Sequence, residues 1–328
     1  MATLAEAYEA AHEGAILVDR SDLGVLKFTG ETRLDLLHRM STQAVNDLES
    51  GEGVATVLTT DIGRMVDRLL LYNSSEAVYA LTGENNAGAV ARYLMGYVFF
   101  NDDFHVDDLS DETAIVGVYG AAAQEMLRPI FGDAVAIPLH HWRQLELDGL
   151  TVYLHRTDPI AGNGYFLMVD AAQQEEVWQK LKEAGFVAAA PDAFEYLRIE
   201  SALPRFGHEI AQEYIPLEAI LWDDVSFTKG CYVGQEIIAR MESRGRLAKK
   251  LVRLQATEAV TPGDEIEADG RKAGTITSAA AGPNGFLALG YVKTKALADG
   301  AALAAGGVPL EAVASDTVAA DAVAESVT

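Results

Sequence analysis

Cys231 is the only cysteine in this chain of 328 residues, so no internal disulfide can hold the fold and a buried apolar core has to. The composition supplies one: 49% of residues are hydrophobic, and the length suggests two or three domains. Apolar runs such as Ala15-Ile16-Leu17-Val18 and Leu69-Leu70-Leu71-Tyr72 are too short to span a membrane. The first residues, Met1 to Glu6, lack the basic start and apolar stretch of a signal peptide. One cysteine and no signal point to a cytoplasmic protein without membrane association.

Asp and Glu outnumber Lys and Arg 49 to 25, for a net charge of −24. The acids are scattered, and the densest group is Asp102, Asp103, Asp107, Asp108, Asp111 and Glu112. A dispersed acidic surface hydrates well and resists association when salt screens its self-repulsion. That is the surface expected in a salty cytoplasm, and it speaks to solubility, not to substrate. It argues against direct nucleic-acid binding, which depends on local Lys and Arg. The densest basic segment is Arg240, Arg244, Arg246, Lys249, Lys250 and Arg253. It reads either as a solvated charge run or as a receiver for an anion.

Periodicity predicts helices over 3–14, 31–40, 88–95, 121–127 (ending before Pro129), 175–184 and 192–200. Strands are expected over 16–28, 54–58, 65–72, 77–82, 113–119, 150–155 and 165–169. The Asn163-Gly164 pair suggests a hairpin turn between the last two. Beyond residue 250, short strands punctuated by Pro262-Gly263, Asp269-Gly270 and Pro283-Asn284-Gly285 predict a small antiparallel barrel or sandwich. Residues 313–328 have the composition of a mobile acidic tail.

The cysteine stands in Lys229-Gly230-Cys231-Tyr232-Val233-Gly234-Gln235-Glu236. An ammonium near a thiol favours the thiolate, the form that attacks electrophiles or binds metal. The plainer reading is a small buried hydrophobe, the usual fate of a free cysteine. The seven histidines show no metal-ligand spacing. Serine-hydrolase and P-loop signatures are absent, and Gly117-Val118-Tyr119-Gly120 lacks the third glycine of a dinucleotide fingerprint.

The stretch from Phe227 to Met241, followed by Arg244-Gly245, resembles the signature of the YgfZ-type folate-binding proteins, in the superfamily of the glycine-cleavage T-protein, an aminomethyltransferase. Arg198-Ile199-Glu200-Ser201-Ala202-Leu203-Pro204-Arg205-Phe206-Gly207 is similar to a second superfamily segment. Gly24 to Gly30, Asn46 to Gly51 and Gly274 to Ser278 add an opening strand, a loop and a barrel strand in the same order. The likeness runs from about residue 15 to about residue 312.

The resemblance implies an α+β, multidomain T-protein-like fold, with mixed α/β folate-binding domains around a central cleft and a C-terminal antiparallel β-barrel. Its expected divisions are 1–50 with 115–245, an inserted domain over 51–114, and the barrel over 246–312. It implies tetrahydrofolate, or another reduced folate, as cofactor. Glu200 would pair with the pterin ring, although an ordinary helix glutamate bonded to Arg198 or Arg205 is the alternative. Arg198, Tyr232, Gln235, Arg240, Arg244 and Arg246 would complete the folate site, and Cys231 with Lys229 would supply the chemistry. The implied role is support of iron–sulfur cluster assembly or repair by a monomer whose partners are assembly or client proteins. A link to tRNA modification would then be indirect. T-proteins rely on an aspartate near the reactive folate nitrogen, and the stretch read as its counterpart, 81–92, has none, with Ala89 at the place and Glu84 several residues early. A folate-dependent one-carbon transferase and a folate-gated adaptor are the other two readings.

Overall fold

The computed structural model describes residues 1–245 and 247–313, with Arg244 described by its backbone alone. Three β-structures carry the chain. The first sheet holds β1 (Ile16–Asp19), and the second begins with β2 (Leu23–Thr29), β3 (Gly53–Thr59), β4 (Met65–Asn73), β5 (Val78–Glu84) and β6 (His105–Asp108). The first sheet then continues through β7 (Thr113–Tyr119), β8 (Trp142–Leu147), β9 (Leu150–Ile160), β10 (Asn163–Asp170) and β11 (Val187–Ala188). Their strand orders are β11-β1-β7-β10-β9-β8 and β3-β4-β5-β2-β6. The third, formed by β12 (Lys249–Ala256), β13 (Glu265–Ala268), β14 (Arg271–Gly282), β15 (Gly285–Lys293), β16 (Leu303–Ala305) and β17 (Val308–Val313), closes into a barrel. The expected α+β fold with a C-terminal antiparallel barrel is therefore what the chain adopts.

Among the described residues, seven helices of eight residues or more pack on these sheets. They are α1 (Leu4–Glu13), α2 (Arg33–Met40), α3 (Ala87–Met95), α4 (Ala123–Phe131), α5 (Gln174–Glu183), α6 (Pro191–Glu200) and α7 (Gln235–Arg244). Thr3 and Glu6 form a reciprocal capping box at the start of α1. α2 and α3 bury Leu36, Leu37, Val90 and Leu94 against Leu26, Leu69 and Leu71 of the second sheet. α4 and α5 cover one face of the first sheet through Leu127, Phe131, Val177 and Leu181, while α1 and α6 lie over the other. α6 also joins the barrel, since Tyr196 and Ile199 pack with Leu251, Leu287 and Leu289.

Three local expectations are corrected. α4 runs through Pro129, because one missing backbone bond is outweighed by its buried stripe of Ala123, Leu127 and Phe131. The β9–β10 turn uses Ala161 and Gly162, at φ 52° and 117°, two residues before Asn163-Gly164. Asn163 instead bonds the carbonyls of Gly120 and Ala121. The strand expected over 16–28 is two strands, β1 in the first sheet and β2, which pairs with β5 and β6, in the second. The tail beyond Val313 and residue Arg246 lie outside the described residues. Among the described residues, no helix is long and apolar enough to cross a membrane.

Candidate functional site

The two sheets and the segment after α6 enclose a polar cavity of about 90 Å³. Asp67, on β4, is fully buried there. Its Oδ2 accepts hydrogen bonds from the Gly83 amide at 2.9 Å and Asn86 Nδ2 at 2.8 Å, and its Oδ1 accepts from the Arg68 amide at 2.8 Å. Burial pushes the carboxyl up to about 6, and the donors from Asn86 and Gly83 only partly oppose this. A carboxyl poised near neutrality can give or take a proton.

Arg68 follows on the same strand. It forms a fork with Asp158 at 2.7 and 3.2 Å and bonds Asp224 through Nε at 2.6 Å. Burial favours the neutral form of Asp158, but Arg68 and then His140 outweigh it and bring the group down to about 2. On the other wall, Glu84 Oε1 accepts from both Arg20, at 3.1 Å, and Arg205, at 3.0 Å. Arg205 also reaches Glu195 at 3.3 Å. Phe206 closes the floor: a Cβ on Gly83 would fall 2.3 Å from the Phe206 ring, so only glycine fits there. The space holds about three waters, at roughly 30 Å³ each. A bicyclic ring therefore needs Phe206 or Arg205 to move.

The sequence-predicted residues are dispersed. Arg198 borders the cavity, but its guanidinium is engaged by Glu195, by Glu209 at 3.0 Å, by the Leu203 carbonyl at 2.7 Å and by Ser278 at 2.8 Å. It ties α6 to the barrel. Glu200 is not among the cavity-lining residues; its carboxylate accepts from Tyr8 at 2.9 Å and lies 2.9 Å from His12 Nε2. Neither of the partners weighed from sequence, Arg198 or Arg205, is bonded to it.

Cys231 is exposed, so the reading of a buried small hydrophobe does not apply. Lys229 does not turn to the thiol. Its ammonium donates to the carbonyls of His38, of Ser41 at 2.8 Å and of Gln43 at 2.7 Å, where α2 ends. Burial pulls this lysine down to about 7, while the three carbonyls favour its charged form. Tyr232 is buried with Ile215, Leu217, Val225 and Ile238. Gln235 opens α7 and Arg240 is exposed along it. Arg253 donates to the Glu200 carbonyl, and Lys249 lies 4.2 Å over the Tyr214 ring. Of the described side chains of the basic segment, Arg240, Lys249, Lys250 and Arg253, none lines the cavity.

Asp67 is the residue that reading the sequence missed. The stretch 81–92 holds no aspartate, and the carboxylate that bonds Gly83 and Asn86 comes from the neighbouring strand. Pairing of β4 with β5, Leu70 opposite Leu81, brings it there. An aspartate within an otherwise apolar strand, Met65-Val66-Asp67, was the available signal.

Two sheets, with the Asp67 cavity between them, and a closed C-terminal barrel form a fold of the glycine-cleavage T-protein class. The chain belongs to the family described as GCVT N-terminal domain, matched over residues 1–229, and residues 249–319 match the domain described as CAF17, C-terminal beta-barrel domain. The resemblance read from the sequence is therefore correct at the level of family. A chloroplastic protein of Arabidopsis thaliana, provisionally named a transferase, is 28% identical over 90% of this chain and 69% of its own length. The aminomethyltransferase of Halalkalibacterium halodurans is also 28% identical, over 86% of this chain and 79% of its own. The crystal structure of the glycine cleavage system aminomethyltransferase T from Bartonella henselae superposes with a TM-score of 0.81, covering 94% of this chain and 88% of that one. At 18% identity, that likeness concerns the fold.

Proposed function

We propose that the protein binds a reduced folate, tetrahydrofolate or a derivative, with the pterin in the cavity of Asp67. The observation that carries this reading is a buried carboxylate held by three N–H donors beside the paired Arg68 and Asp158. The amino-pyrimidine edge of a pterin offers N–H donors that suit a carboxylate, and Asp67, Glu84 and Asp158 line the cavity where Glu200 does not. Phe206 and Arg205 would swing aside on entry. Their segment contains Ala202 at φ 53°, a strained conformation for a residue other than glycine.

Family membership supports a role beyond binding, and two roles follow. In the first, the folate-bound protein supports iron–sulfur cluster assembly or repair, and Cys231 meets partner proteins from its exposed loop. One cysteine cannot hold a cluster alone, since clusters normally take four protein ligands. The thiol would act as a shared ligand or as a nucleophile at an interface. In the second, the protein transfers a one-carbon unit. In this role the pterin would lie with its reactive nitrogen, and not its amino-pyrimidine edge, toward Asp67, whose carboxyl near 6 suits general acid–base work.

Rescue of cells lacking the native protein tests the two roles. If Cys231→Ala fails to restore cluster enzymes while Asp67→Asn restores them, the first role stands. Loss with Asp67→Asn and full rescue by Cys231→Ala would reverse the order. Full rescue by both variants would refute both.

A further inference from the structure

A second cleft, of about 510 Å³, borders the same β9 segment as the cavity, and Thr157 lines both. Its walls are apolar: Ile137, Pro138, Leu139, Pro159 and Gly162. Leu139 is 49% exposed, so the apolar surface is open to solvent. One cation, Arg156, lines it. The size falls in the usual range for small-molecule sites, roughly 300–1,000 Å³.

Arg156 is held by side chains from α4 and β10. Every partner it has is neutral: Gln124 Oε1 at 3.0 Å, Asn163 Oδ1 at 2.8 Å and the Tyr165 hydroxyl. Among the described residues it has no carboxylate partner, although acids outnumber bases 49 to 25. The guanidinium also lies 4.6 Å over the Tyr165 ring, which fixes its plane. Three neutral acceptors and a ring orient the group without neutralising it. Its Nε–H and one Nη2–H have no protein acceptor among the described residues. Two free donors on a fixed guanidinium match the two oxygens of a carboxylate.

We propose that this cleft binds a small organic acid, with its carboxylate on Arg156 and an apolar body against Ile137, Leu139 and Pro159. The site is separate from the folate reading and does not depend on it. Thr157, which lines both spaces, is followed in the chain by Asp158, the partner of Arg68 in the central cavity.

Phenylacetate serves as the probe, with phenylacetamide and inorganic phosphate as comparators, at constant ionic strength. Phenylacetate should raise the melting temperature of the full chain, because a ligand of the folded state stabilises it by mass action. Phenylacetamide should not. Arg156→Gln should weaken phenylacetate binding at least about tenfold, the loss of one charge-assisted hydrogen bond or more. Leu139→Asp should do the same by placing a negative charge on the wall, without touching the supports of Arg156. It decides the matter if Arg156→Gln does not fold. Four results would overturn the proposal: no shift with phenylacetate, an equal shift with phenylacetamide, phosphate binding in its place, or unchanged affinity in the folded variants.

Discussion

Asn86 donates its side-chain amide to Asp67 Oδ2 at 2.8 Å, which links the start of α3 to a fully buried carboxylate on β4. The same oxygen takes the Gly83 amide, yet burial still leaves the group near 6, against an ordinary 3.8. Folding therefore makes this carboxyl bind its proton more tightly than the unfolded chain does. Its ionised form disfavours the fold above about pH 6, and that penalty disappears as pH falls toward 4. Relative to Asp67→Asn, the wild type should gain about 3 kcal/mol of stability across that window, at 1.36 kcal/mol per pH unit. Paired denaturant titrations at several pH values measure it. A difference that stays flat with pH would show that Asp67 titrates normally.

Arg198 and Glu209 form a pair at 3.0 Å in which both side chains are almost wholly buried. Glu209 also accepts from Thr277 at 2.6 Å and from Ser278 at 2.7 Å, so α6 and β14 depend on one charge cluster. Arg198→Met leaves a buried carboxylate without its cation and should cost about 3–5 kcal/mol. Glu209→Gln keeps two oxygen–nitrogen partners and should cost less. Chemical unfolding of both variants checks the order, and equal losses would contradict it.

Lys229 and Cys231 separate two jobs that their proximity in sequence blends. Lys229→Met strips a donor from the carbonyls of Ser41 and Gln43 and should lower stability by about 1–3 kcal/mol. Cys231→Ala changes an exposed side chain and should stay within about 0.5 kcal/mol of the wild type. Melting temperatures of the two variants give the comparison. A thiol substitution as harmful as the lysine one would place Cys231 in the structural framework.

Much of the fold was legible because its signals are local. The apolar stripes of α1, α2 and α5 recur at helical spacing, and Gly185, at φ 96°, ends α5 as its position suggests. The Pro-Gly and Asp-Gly turns marked out the barrel strands. The site was less legible, because it is made by pairing. Nothing within 16–28 shows that β2 leaves the first sheet for the second, and nothing within 81–92 shows that Asp67 fills its polar pocket. Lys229 misled for the opposite reason. Two residues of separation suggested a partner for Cys231, whereas the ammonium has three carbonyl partners from the end of α2.

The most direct test of the folate reading is calorimetric titration of tetrahydrofolate into the protein under anaerobic, high-salt conditions. The wild type and Cys231→Ala should bind with one-to-one stoichiometry and similar affinity. Asp67→Ala should bind at least about tenfold more weakly, because buried pterin donors would lose their acceptor. Glu200→Ala should bind like the wild type, since that carboxylate is engaged by Tyr8 and lies outside the cavity lining. Absence of binding heat with the wild type, or Asp67→Ala binding as tightly as the wild type, would contradict the account.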